Sequence, residues 1–442
     1  MRFRGLLVGV VLLAALAAGL YFSNREKAAE AAKPPSDAPP KIVSLNDSDI
    51  TKIELKKKGA DPIVLDKNGS GKWEIAAPKS YRADQDTAGQ LASALAGLGS
   101  DRVVDDKATD LAGYGLKPPG TEIDISAKGG KNKTVLVGDD APANGGTYVA
   151  LAGDPRVFTI PGFTKTSIDK SLNDLRDKRL LTFDQDKLSR VELIAKKQDI
   201  EFGRDKDQWQ IVKPKPMRAD GLQVDELIRK VKDAKMDLTM SPEDAKKAAA
   251  SFGSGTPIAT VKVTDPSGTE QLEVRKVKDD YYAKSSAVDG VHKVTSDLGT
   301  GLDKGADDFR NKKLFDFGFS DPNKVEMHDN GKTYAFQKTG EDWFSNGKKM
   351  DSISVQSLID KLRDLSASKF IDAGTFGTPA LDVTVTSNDG KRVEKVLIAK
   401  NGSDVVAKRD NEPALYGLDS KTVDELSKAA SDVKEAQPAK KK

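Results

Sequence analysis

A stretch of twelve residues occurs in this chain twice, little changed, and its recurrence constrains the fold more than any other feature. "WEIAAPKSYRAD", Trp73 to Asp84, and "WQIVKPKPMRAD", Trp209 to Asp220, share Trp, an Ile two residues later, Pro at the fifth step and Arg-Ala-Asp at the ninth to eleventh. A weaker copy starts at Trp343, and these three are the only tryptophans, spaced 136 and 134 residues apart. Solenoid repeats have periods of roughly 20–50 residues, so a period this long makes each copy a small domain with its own core rather than a stacking unit. A chain of 442 residues has room for such domains at roughly 100–200 residues each.

The similarity extends to both sides of the tryptophan. Upstream stand "IEL" at Ile53, "VEL" at Val191 and "VEM" at Val325, short strand patterns with an acid between apolar residues. Downstream, Leu91, Leu95 and Leu98 match Leu227, Val231 and Ala234, then Leu358, Leu362 and Leu365, all at helical spacing. Asp84, Asp220 and Asp351 precede these helices, where a carboxylate can accept from the backbone N–H groups that a first turn leaves unpaired. Aromatic-Gly pairs follow at Tyr114, Phe252 and Phe376, and then alternating segments such as "TVKVTD" and "DVTVTS", the pattern of strands with one buried face. The links "PSG", "DNG" and "NDG" mark antiparallel hairpins. The expected fold class is therefore α+β, with three tandem modules of antiparallel β-sheet and packed helices. Trp73 and Trp209 are expected to pack a strand end against the capped helix rather than to stack on a ligand.

Where modules meet, "LRDKRLLTF" at Leu175 reappears as "FRNKKLFDF" at Phe309. These strings set Arg176, Lys178 and Arg179, then Arg310, Lys312 and Lys313, between apolar anchors. The plain expectation is a junction whose Leu and Phe join adjacent cores while the bases stay in water. The sharper one is a stripe that binds a protein partner or an anionic lipid. The modules are expected at 42–181, 182–314 and 315–433, followed by a basic tail at 434–442.

The amino end is of another kind. After a basic n-region at 1–4, residues 5–22 read "GLLVGVVLLAALAAGLYF" without a charge. As a helix this run spans roughly 27 Å, enough to cross a hydrocarbon core. Arg2 and Arg4 favour a cytoplasmic amino end. Small residues at "ALAAG" keep a cleaved signal peptide as the rival reading, although the run exceeds the roughly 7–15 residues of an ordinary signal core. With the anchor retained, the expectation is a single-pass protein of the cytoplasmic (inner) membrane, with the bulk of the chain periplasmic or otherwise extracytoplasmic. An Ala/Pro/Lys linker at 23–41 would lift that bulk off the membrane. The sequence has no Cys, which excludes disulfides and thiolate chemistry.

Lys+Arg 71 against Asp+Glu 68 leaves a net charge of +3, with bases and acids interleaved, so no nucleic-acid footprint is expected. Catalysis needs a nucleophile with a base, or a metal with a water. The two histidines, His292 and His328, stand at unrelated points of two modules, with no zinc-binding spacing around them. "DKNGSGKWE" from Asp66 resembles the first half of a calcium loop, but Ala77 occupies the place of the bidentate Glu. Its "GSGK" lacks the full phosphate-loop frame and falls in an expected hairpin. No catalytic residue, metal ligand or cofactor is assigned, and no spacing selects a glycosidase-like acid pair.

The apolar amino-terminal run, the "W-x-I…P…RAD" segments with their helices and "LRDKRLL" at Leu175 together resemble a bacterial family of membrane-anchored proteins defined by the DUF4340 domain. The resemblance spans Val43 to Val433, and the third module departs from it with "WFSNGKKMDS", which lacks the Pro and the Arg. It implies a role beside gliding-type ABC transporter components and carries over no catalytic residue. The expected function is that of a non-enzymatic, membrane-anchored scaffold or accessory subunit with a protein partner such as ABC transporter subunits. The alternative is a module that binds cell-wall glycan or lipid in a groove between modules, which solvent-accessible Trp73 or Trp209 would favour.

Overall fold

The structure, a computed structural model, describes residues 40–437 apart from 143–144, 207, 320–321, 403 and 411. The expected anchor at 5–22 lies outside the described residues, among which no helix is long and apolar enough to cross a membrane. The chain divides into two compact units, the first ending at Lys178 and the second starting at Arg179. The first holds one sheet and the second holds two, one for each expected module.

In the first unit, β1 (Ile50–Lys57), β2 (Ile63–Lys67), β3 (Trp73–Ala77) and β4 (Tyr81–Arg82) are successive neighbours. Helix α1 (Gln85–Ala96) leads to β5 (Arg102–Asp105) at the opposite edge. The chain then returns through β6 (Thr121–Ala127), β7 (Lys133–Asp140), β8 (Gly146–Leu151) and β9 (Val157–Pro161), giving the order β4-β3-β2-β1-β6-β7-β8-β9-β5. Two short helices, α2 (Gly162–Ile168) and α3 (Leu172–Leu175), complete it.

The second unit repeats this plan twice. Its first sheet comprises β10 (Arg190–Ala195), β11 (Gln198–Asp205), β12 (Gln208–Lys213) and β13 (Met217–Arg218), then helix α4 (Gly221–Lys232) and an inserted helix α5 (Pro242–Phe252). It continues with β14 (Thr256–Asp265), β15 (Gly268–Val277), β16 (Asp280–Ser285) and β17 (Val291–Val294), and ends in α6 (Ser296–Leu302). The order is that of the first sheet without a counterpart of β5. The next sheet runs β18 (Lys324–Asp329), β19 (Lys332–Thr339), β20 (Asp342–Ser345), β21 (Lys348–Lys349), helix α7 (Ser352–Asp364) and β22 (Lys369–Ile371). It closes with β23 (Pro379–Ser387), β24 (Arg392–Asn401), β25 (Asp404–Arg409), β26 (Leu415–Leu418) and α8 (Thr422–Ser431), in the full nine-strand order.

The strands "IEL", "VEL" and "VEM" are the hubs, since β1, β10 and β18 each pair antiparallel with a neighbour on either side. Their apolar residues, Ile53 and Leu55, Val191 and Leu193, Val325 and Met327, are fully buried, as alternation requires when only one face meets a core. The opposite face carries ion pairs, such as Lys56 Nζ at 3.0 Å from Glu122 and 2.6 Å from Asp124. The turns "PSG", "DNG" and "NDG" join β14 to β15, β18 to β19 and β23 to β24, with Asn330 (φ 45) and Gly331 (φ 87) in the left-handed conformations that such tight links demand.

The three acidic caps form as expected. Asp84 accepts from Thr87 N–H, Asp220 from Leu222 and Gln223, and Asp351 from Ser354. The helices they start bury one apolar face. In α4 this face is Val224, Leu227, Ile228 and Val231, each stabilising the module by roughly 1.5–3 kcal/mol relative to exposure. All three tryptophans are buried, and Trp209 Nε1 donates to Asp225 of α4 at 3.2 Å, tying strand to helix.

Two short backbone segments frame every module. In the opening segment, Ile42, Leu180 and Leu314 each donate N–H to a carbonyl just after the helix, at Leu98, Ala234 and Leu365. In the closing segment, Leu175, Phe309 and Lys434 each offer a carbonyl to the N–H of the capping aspartate, at 2.8, 2.7 and 2.8 Å. The limits read from sequence shift accordingly. Lys41, assigned to the linker, bridges to Gly99 and opens module one, while Met350 bridges to Glu435 so that the first residues of the expected tail close module three. Because these contacts are between backbones, "KEA" can replace "LRD" or "FRN" there without loss of the pattern.

Candidate functional site

The junction of the second and third modules, both within the second unit, gathers the buried Arg310 and Glu394 and several half-buried charges. Sequence reasoning expected its bases to stay in water, and Arg310 does not. Its side chain is 4% exposed, with the guanidinium carbon 3.6 Å from the Phe370 ring centroid and Nη1 at 3.0 and 3.2 Å from Asp307 and Asp372. A planar guanidinium can stack by its face and donate by its edge at once, which is why burial suits Arg here. Arg176, at the matching place in module one, is half-buried over Tyr81 at 4.0 Å. Lys178 is half-buried, and Arg179, Lys312 and Lys313 are exposed. Arg176 and Lys178 belong to the first unit and the other four to the second, so the six bases are not one stripe within either unit.

The residue at the centre of the junction is Arg218, on the edge strand β13. Its Nη1 lies 2.7 Å from Asp316, and its Nη2 donates to the Lys313 carbonyl at 2.6 Å and to the Tyr416 hydroxyl at 3.2 Å. Nε is 2.6 Å from Glu412, near enough for an ion pair although its N–H points off the acceptor. Arg409 joins the same acids, with Nη2 at 3.3 Å from both Asp316 and Glu394 and Nε at 2.8 Å from Glu412. Burial disfavours the Arg218 charge, but Asp316, Tyr416 and Glu412 outweigh it and its pKa lies above the ordinary value. Burial also raises the Tyr416 phenol, with Glu412 adding to the shift against the pull of Arg218. Burial alone would raise Asp372, yet Lys215 and Arg310 hold its carboxyl below the ordinary range.

Asp316, Glu394 and Glu412 escaped the sequence reading. The one signal for them was "FDF", in which Asp316 sits between two buried phenylalanines. Glu394 and Glu412 lie far along the chain and resemble ordinary surface acids. The residues tested for other chemistry have local partners. His292 Nε2 is 2.9 Å from the Asp289 carbonyl, and His328 Nδ1 is 3.1 Å from Thr333 Oγ1. The Asn68 side chain accepts from Ser70 and Lys72 in the hairpin turn. Among the described residues no group of three His, Cys, Asp or Glu is placed to hold a metal ion.

Two clefts flank the seam. One of about 250 Å³ is lined by Lys215, Met217, Arg310, Phe370, Asp372 and Tyr416. The other, of about 340 Å³, is lined by Arg204, Gln208, Trp209, Gly221, Asn311 and Arg392, among others. A wider groove of about 950 Å³ runs between α7 and α8, with Ile353 on its rim. Trp73 and Trp209 are 5% and 4% exposed and offer no open face on which a sugar could stack.

A family model described as "Domain of unknown function (DUF4340)" matches residues 73–210 and again 209–382. Each match begins at a tryptophan, on β3 or β12, so the family frame cuts through the sheets rather than between them. No curated protein and no solved structure matches the chain.

Proposed function

The chain belongs to the DUF4340 family, and from the way its modules are built and joined we propose that it is a non-enzymatic scaffold, held outside the cytoplasm by a membrane anchor at residues 5–22. In this reading it is an accessory subunit of an ABC-type transport or envelope complex. The observation that supports it most is the seam around Arg218, where two guanidinium groups share Asp316 and Glu412. Ion pairs with several shared partners lock orientation, and they make modules two and three one body rather than beads on a string. Residues that could have carried chemistry are spent on packing. The tryptophans brace helices, the aspartates cap them, and the junction arginines stack on Phe370 and Tyr81. A body of this kind can hold partner surfaces at a fixed separation.

The test is crosslinking of the full-length protein in its membrane, followed by solubilisation, affinity purification and mass spectrometry. Recovery of ABC-type permease or ATPase subunits, crosslinked to the second unit, is the expected result. Recovery of the protein without any transport subunit would overturn the proposal.

A further inference from the structure

The cleft beside Trp209 exists because module two lacks a plug that module one has. In module one the first residue of α1, Gln85, folds back over the tryptophan. Its Oε1 accepts from Trp73 N–H at 2.9 Å, and its Nε2 donates to the carbonyls of Trp73 and Ala83 at 2.8 and 3.0 Å. The first residue of α4, following the same capping aspartate, is Gly221. A Cβ built there would meet nothing within 4 Å, and Gly221 lines the cleft together with Trp209 and Ala219.

What lines that opening is specific. Arg204 sits cross-strand from Trp209, as Lys67 does from Trp73, and its guanidinium carbon lies 5.0 Å from the indole centroid. Its Nη1 donates to the Asp186 carbonyl at 3.3 Å. Arg392, from module three, donates to the Asp316 carbonyl at 2.5 Å. Among the described residues neither has a carboxylate partner, and a guanidinium carries five N–H donors, so both keep donors to offer. With Arg218, three guanidinium groups face two carboxylates, Asp225 and Asp316, around the cleft. Gln208, Gln210 and Asn311 complete the wall with neutral hydrogen-bonding groups.

We propose that this cleft binds a phosphorylated polyol. The phosphate is held between Arg204 and Arg392, which approach from different modules and so can take different oxygens of a tetrahedral anion. Its oxygens do not lie in one plane as those of a carboxylate do, so a phosphate meets two forks from different directions more readily. The hydroxyls fall to Gln208, Gln210 and Asp225. Asp225 already accepts from Trp209 Nε1 and keeps lone pairs for a further donor. A soluble sugar or glycerol phosphate and a phosphoglycerol lipid headgroup share this chemistry.

Calorimetric titration of the full-length protein in detergent with glycerol 3-phosphate is the direct test, with glycerol and inorganic phosphate as comparisons. Glycerol 3-phosphate is expected to bind more tightly than either comparison. The R204Q/R392Q pair should weaken it by about tenfold or more. Gly221→Gln, which rebuilds the plug of module one, should abolish binding while leaving the thermal midpoint unchanged or raised. Competition by short-chain phosphatidylglycerol assigns the ligand to a lipid headgroup, and lack of competition assigns it to a soluble phosphorylated polyol. No binding by a chain with an unaltered melting transition, equal binding of inorganic phosphate, or binding that survives Gly221→Gln would each overturn the proposal.

Discussion

Single residues repeat their jobs from copy to copy, and those whose job is local are the ones a sequence reveals. Asp84, Asp220 and Asp351 cap helices through N–H groups two or three residues away, so spacing alone exposes them. Asp220→Ala removes two accepted hydrogen bonds and should lower stability by about 1 kcal/mol in urea unfolding. Asp220→Asn should cost a smaller fraction, because the amide oxygen still accepts. Arg310 is the opposite case. Its burial depends on Phe370, sixty residues further on, and nothing in "FRNKKLFDF" points there. Arg310→Lys keeps the charge but loses the stacked plane, and should destabilise the protein by about 2 kcal/mol. A thermal midpoint equal to that of the parent chain would show that the stacking is incidental.

At the scale of elements, the hairpins, hub strands and capped helices were legible because hydrophobic period and turn residues are written locally. The closing segments of modules one and two showed as the paired "LRDKRLLTF" and "FRNKKLFDF", but that of module three did not, since backbone bonds tolerate "KEA" in place of "LRD" or "FRN". The missing counterpart of β5 in the second sheet was equally hidden, because α5 is inserted just where that edge strand would stand. β22 and β26 pair at the edge of the third sheet and bring Phe370 and Tyr416 to the seam, giving it two pH limits of opposite sign. Tyr416 has its phenol pKa raised, so its contribution is complete below the ordinary value of about 10 and is lost as pH rises through the folded value. Asp372 has its pKa lowered, so its contribution is present above about 3.9 and fades as pH falls through the folded value, weakly because the side chain is more than half exposed. Burial and Asp105 also raise the Tyr114 phenol, so tyrosinate absorbance should show more than one late-titrating phenol, one of which disappears in Tyr416→Phe. If every late phenol survives that substitution, the burial argument for Tyr416 is wrong.

At the scale of the whole chain, three modules were readable but their grouping into two units was not. One position of the opening segment ties module three to module two inside the second unit. Asp316 stands there in module three and reaches back to Arg218, whereas Thr182 stands there in module two and bonds Glu270 within its own unit at 2.7 and 2.8 Å. Calorimetry should accordingly resolve separate transitions for the first unit and the second, with modules two and three melting together. Asp316→Asn takes a half-buried partner from Arg218 and Arg409, with Glu412 still beside both, and should cost about 2 kcal/mol, splitting the transition of the second unit. Adding Arg218→Met to that variant should recover part of the loss, because an apolar side chain in the seam is cheaper than a stranded charge. Additive losses in the double variant would mean that the two side chains act independently. The lock between modules two and three would then have to lie in the apolar contacts around Phe315 and Phe317.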